Sequence, residues 1–115
     1  MLISRFDPET VMANFHGRRN ISSLGFPTYT LGLEACWAIL KPGESMTPHK
    51  HLPGMVGEIY AIIKGRGLMR IGDEEEEVHE GDVVFIPPEA VHSLTNNGDE
   101  ELIWFAFWKV ERPDR

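Results

Sequence analysis

From residue 28 onward the chain is cut into short β-prone runs, each closed by glycine, proline or asparagine after roughly ten residues, and that cadence leaves few folds open. The runs are 28–40, 45–51, 58–63, 67–71, 75–78, 82–86, 92–95 and 102–110. Between them stand Lys41-Pro42-Gly43, Lys64-Gly65-Arg66-Gly67, Gly72-Asp73, Glu80-Gly81-Asp82, Pro87-Pro88 and Asn96-Asn97-Gly98-Asp99. These residues supply the backbone angles and local hydrogen bonds of tight turns. About eight strands at that spacing predict an all-β sandwich or barrel. The residues before Ser23 lack sustained periodicity, so the expected organisation is an N-terminal arm, 1–22, followed by one β-barrel domain, 23–115.

Strand parity adds a constraint on what surrounds the barrel. Side chains alternate between the two faces of a strand, so Glu58, Tyr60 and Ile62 share one face while Ile59, Ala61 and Ile63 share the other. Both faces are apolar enough to be buried. The run Leu102-Ile103-Trp104-Phe105-Ala106-Phe107-Trp108 likewise has no polar face. A barrel interior covers one side, and the other calls for the N-terminal arm or a partner subunit. A homodimer contact would explain it.

Charge and cysteine content exclude several roles. A net charge of −7 is unsuited to nucleic acid, whose phosphates need a clustered basic surface. The acidic residues of 73–77 and 99–101 stand beside turn glycines and read as solvated hairpin tips without a function. No apolar run reaches the roughly 18 residues of a membrane span. The N-terminus has no secretory signal pattern, which makes the cytoplasm the expected compartment. The single cysteine, Cys36, lies in the apolar stretch Leu33-Glu34-Ala35-Cys36-Trp37-Ala38 and is read as a small core residue, not a nucleophile.

The chemistry is carried by histidines. His49 and His51 are one residue apart, and side chains at i and i+2 of an extended strand point the same way, roughly 6.6 Å apart along it. Two imidazoles so placed can converge on one ion. Glu58 follows the turn-prone stretch Leu52-Pro53-Gly54-Met55-Val56-Gly57, which lets the chain return antiparallel with a carboxylate facing the pair. His92 follows a second Gly/Pro frame and completes a candidate metal-ligand set of His49, His51, Glu58 and His92.

These frames resemble the two motifs of the cupin superfamily, in its small single-domain, cupin 2 type. The first frame is Gly43, five residues, His49-Lys50-His51, a gap, Glu58, six residues, Gly65; the second is Gly81, five residues, Pro87, then His92 and, four positions on, Asn96. The resemblance implies a double-stranded β-helix, the jelly-roll barrel, usually dimeric, with a divalent metal held inside one end by the three histidines and the glutamate. Two departures stand out. The gap between His51 and Glu58 is longer than the family's usual one, and Pro53, Gly54 and Gly57 within it are expected to keep the extra length in the loop, with Glu58 entering its strand facing inward. Glu89 occupies a turn position where glycine is usual.

Three neutral imidazoles and a carboxylate leave a six-coordinate dication two open positions, whereas a structural zinc would be closed and usually sulfur-rich. Mixed nitrogen and oxygen ligation suits Fe, Mn, Ni, Co or Zn. The expected function is thus a metal-dependent enzyme acting on a small chelating organic molecule, an oxygenase of dioxygenase type, with Glu58 also able to act as a base. A metal-dependent isomerase, lyase or cyclase is the alternative chemistry, and a small-molecule-binding cupin without turnover is the alternative class. Trp37, Tyr60, Met69, Phe85, Trp104 and Phe105 are the candidate pocket walls, by size and strand position, though aromatics routinely fill β cores and plain core is the first reading of each. His79, at a turn, reads as a surface residue. His16 with Arg18 and Arg19 is either a basic loop or a clamp for a substrate carboxylate.

Overall fold

The computed structural model describes residues 1–9, 20–23, 31–48, 50 and 55–110. Among them run eight strands: β1 (Asn20–Ser23), β2 (Leu33–Leu40), β3 (Met55–Lys64), β4 (Arg66–Ile71), β5 (Glu74–His79), β6 (Val83–Ile86), β7 (His92–Thr95) and β8 (Leu102–Val110). They form a five-stranded sheet, ordered β1-β2-β8-β3-β6, and a three-stranded sheet, ordered β5-β4-β7. All the pairings are antiparallel. The all-β barrel read from the sequence is the fold observed.

The two sheets close on one another through their apolar faces. From the larger sheet come Cys36, Ala38, Leu40, Tyr60, Ile62, Ile86, Leu102, Trp104 and Ala106; from the smaller come Met69, Val78 and Leu94. Every inward residue is two positions from the next on its strand, so the core follows from the period of two. On the back of the larger sheet a second, smaller cluster joins Ile39 and Ile103 to Trp37 and to Phe6 of the arm. The Phe6 and Trp37 rings meet edge to face at 5.5 Å, and Trp37 Nε1 donates to Ser4 Oγ at 3.1 Å. The arm therefore covers part of the outer face.

Two expectations about strands are corrected. The strand expected over 28–40 begins at Leu33, because residues 31–32 turn and Gly32 sits at φ 73°. The strand expected over 45–51 is, in its described part, a single bridge between Ser45 and Thr95, with Met46 N donating to Leu94 O and Asn96 N donating to Glu44 O. Pro48 has no N–H to extend the ladder. The strand expected over 75–78 is β5, which starts one residue earlier and takes in most of the acidic run, with Glu75 paired to Arg70 at 3.2 Å and Glu77 to Arg66 at 3.5 Å on β4. The boundary drawn between residues 22 and 23 falls within β1.

Strand β3 starts at Met55, and its pairing with β8 shifts register between Met55 and Glu58. Gly57, at φ 91°, lies in that irregularity. A bulge absorbs an extra residue and re-aims the side chains after it. Part of the long gap after His51 is taken up here, inside the strand, and Glu58 emerges on the inner face opposite Ile86 of β6.

Candidate functional site

Glu58 and His92 come from different sheets and meet inside the barrel. Glu58 lies on β3 and is 6% exposed; His92 opens β7, opposite Ile71 of β4, and is 1% exposed. His92 Nε2 lies 3.5 Å from Glu58 Oε1. The other ring nitrogen, Nδ1, is 3.0 Å from the Ala90 carbonyl oxygen. A carbonyl can only accept, so Nδ1 carries the hydrogen and Nε2 is the nitrogen turned toward the carboxyl group. This is how metal-ligating histidines are commonly oriented, by a carbonyl behind the ring.

The surroundings are apolar and aromatic. Tyr60, two residues after Glu58 on the same face, meets the His92 ring edge to face at 6.2 Å and lies against Trp104 at 5.5 Å. Its hydroxyl donates to Met46 Sδ at 3.8 Å. In such a setting an ionised group is costly unless an opposite charge stands beside it. A carboxylate oxygen and a neutral imidazole nitrogen are donors that a divalent first-row ion accepts, and 3.5 Å is within the span of two ligands on one centre. The residues present fit a metal ion.

Of the candidate walls, Tyr60, Met69 and Trp104 belong to this core. Trp37, Phe85 and Phe105 are not brought to it. Phe105 and Trp37 have the opposite parity to Trp104 and Ala38 and pack against each other at 5.3 Å on the outer face. Phe85 is 61% exposed beside the inward Val84 and Ile86. Size and strand membership chose these three, and parity separates them. His79 is exposed and pairs with Asp82, Nδ1 to Oδ2 at 3.1 Å. His49, His51, His16, Arg18 and Arg19 lie outside the described residues. Among the described residues no group of three or more His, Cys, Asp or Glu side chains converges.

Two parts of the site went unread in the sequence. The Ala90 carbonyl leaves no side-chain signal. Met46, 2% exposed, is placed by the Leu94 pairing, and only a correct register for 43–46 would have revealed it.

Comparison with known proteins agrees with this architecture. Residues 36–108, well over half of the chain, match the family model described as a cupin domain. The chain is 42% identical over 65 residues to an uncharacterized protein of Methanocaldococcus jannaschii, a match covering 56% of this chain and 50% of that one. It is 34% identical over 67 residues to an oxalate-binding protein of Thermotoga maritima, covering 58% and 54%. It is 32% identical over 68 residues to a glucose-6-phosphate isomerase of Pyrococcus abyssi, covering 55% and 36%. The matches thus span about half or less of these curated relatives. Among solved structures, a cupin 2 conserved barrel domain protein from Salinispora arenicola superposes with a TM-score of 0.74 at 28% identity, over 95% of this chain and 88% of that one. A protein from Photorhabdus luminescens does so with a TM-score of 0.78 at 25% identity, over the same shares. Two facing antiparallel sheets, both motif frames and a family match from β2 to β8 lead to one assignment: the chain belongs to the cupin family.

Proposed function

We propose that this cupin holds a divalent metal ion with His49, His51, Glu58 and His92 and uses it on a small organic molecule that chelates through neighbouring oxygens, in a dioxygenase-type oxidation. The observation that carries the reading is the buried pair: Glu58 Oε1 and His92 Nε2 face each other at 3.5 Å, with the imidazole set by the Ala90 carbonyl behind it. When bound, the ion supplies Lewis acidity and open positions for a chelating substrate. The protein does the rest. Tyr60, Trp104 and Met69 exclude water from one side of the pair, which strengthens every charge interaction there. Glu58 is both ligand and base: a carboxylate inside the barrel is placed to take a proton from a bound substrate.

A second reading keeps the ion and drops the oxidation. The likeness to an archaeal glucose-6-phosphate isomerase favours isomerisation, where proton transfer by Glu58 suffices. The likeness to an oxalate-binding protein favours a small dicarboxylate as ligand, with or without turnover. An oxygen-electrode screen of Fe(II)- and Mn(II)-loaded protein against small chelating acids, enols and phenols separates these. Oxygen uptake with stoichiometric product supports the oxygenase; product without oxygen uptake moves the assignment to isomerase, lyase or cyclase.

The same reading pairs two copies of the chain. Val56, Ile63, Val83 and Phe85, on β3 and the edge strand β6, stay between 42% and 68% exposed where the arm's Phe6 does not reach. Glu74, Glu75, Glu76 and Glu77 of β5 line one groove together with Val83 and Phe85, so association of two copies that each carry a net charge of −7 should strengthen as salt screens these carboxylates.

A further inference from the structure

We infer that the left-handed turn at Glu89 is a positioning device for His92: it aims the Ala90 carbonyl at Nδ1 and thereby fixes which ring nitrogen faces Glu58. Glu89 has φ 63°, and it is the one non-glycine residue with positive φ among those described. An exposed glutamate gains no contact from that conformation, and L-residues adopt it at a cost. Such an angle persists only where its surroundings over-determine it. Here they do. Pro87 and Pro88 restrict the chain before it, and proline in the second turn position with positive φ in the third suits a type II turn. Ala90 N donates to Pro87 O at 3.3 Å, closing the turn, and Gly72 N donates to Val91 O at 2.8 Å, tying the far side to the β4–β5 hairpin.

Between those two anchors the Ala90 carbonyl has one direction left, and it ends 3.0 Å from His92 Nδ1. The turn also carries the chain from Ile86, opposite Glu58, to His92, so its shape sets how the two side chains approach across the sheets. Rotation about φ of residue 89 would swing the next carbonyl away from the ring. The imidazole would then be free to take the other tautomer, with hydrogen on Nε2 and its lone pair turned from the carboxyl group. Glu89 thus acts through its backbone, as a positioning residue, and its carboxylate is dispensable.

The metal part of this inference rests on the function proposed above, whereas the tautomer part does not. The test is a graded series, Glu89→Gly, Glu89→Asn, Glu89→Ala and Glu89→Val, from the most to the least tolerant of positive φ. The first readout is the nitrogen NMR spectrum of labelled histidine in the metal-free protein at about pH 8, above the ordinary imidazole range. The second is Co(II) affinity by titration calorimetry. Parent, Gly and Asn variants should show the Nδ1–H tautomer at His92 and Co(II) affinities within about twofold of one another. Ala should weaken both readouts, and Val should mix the tautomers and lower affinity by about tenfold to a hundredfold, as loss of a partner behind a ligand does. If Val does not fold, Ala decides. A tautomer that ignores the series, or a Gly variant that loses it, overturns the inference. Failure of the parent to bind Co(II) overturns the metal reading alone, because the tautomer series is still read.

Discussion

Asn96 shows what one side chain can hold in this barrel. Fully buried, it donates through Nδ2 to the Leu40 and Glu100 carbonyls, each at 2.9 Å, and accepts at Oδ1 from Gly98 N at 2.9 Å. It therefore joins the end of β2 to the loop before β8. Asn96→Ala strands buried backbone groups as well as removing bonds, so stability should fall by about 2–4 kcal/mol, read from the denaturant midpoint. Glu58→Gln preserves shape and removes the proposed base; it should retain some metal while turnover falls by at least about a hundredfold. Activity near that of the parent would remove Glu58 from the chemistry. Glu89→Gly, relieved of the left-handed cost but more flexible when unfolded, should be neutral or more stable by up to about 1 kcal/mol, a shift that thermal unfolding resolves. Of the site itself, the types and spacing of Glu58 and His92 were legible in the sequence. The distance between them was not, because it is set by a crossing between sheets that contains no periodic signal.

At the scale of elements, β7 and β8 were legible at their observed bounds because strong turn residues separate them, not because both alternate: β7 alternates, while β8 is apolar almost throughout. Strand β1, Asn-Ile-Ser-Ser, was not read as a strand: it is short and mostly polar, and it exists by pairing with β2 at a sheet edge. The bulge in β3 was legible only as a gap of unusual length. Its consequence is specific. A Cβ at Gly57 would lie 3.2 Å from the Ile86 carbonyl oxygen and from the Phe85 ring, in a backbone conformation that alanine disfavours. Gly57→Ala should therefore cost about 1–3 kcal/mol, and it should perturb Glu58 next to it. An unchanged melting temperature would show that the bulge is not needed to place that side chain.

For the molecule as a whole, the apolar reading of both faces of β3 finds two different answers. The inner face closes the core, while the outer face of the larger sheet is covered by the arm over β2 and β8, near Trp37, and left open near Phe85 of β6, beside β3. If a second copy occupies the open part, light scattering should give a dimer mass for the parent at micromolar concentration and a monomer for Phe85→Glu with Val83→Lys. A monomeric parent would leave that face to another partner. No helix among the described residues is long and apolar enough to cross a membrane. The proposed metal ion, with Glu58 on one sheet and His92 on the other as ligands, is tested most directly by elemental analysis. Purified protein reloaded with Fe(II), Mn(II), Co(II), Ni(II) or Zn(II) should carry close to one ion per chain, and His92→Ala and His49→Ala should lose most of it while remaining folded. A parent protein that takes up no stoichiometric metal under any of these loadings would contradict the account.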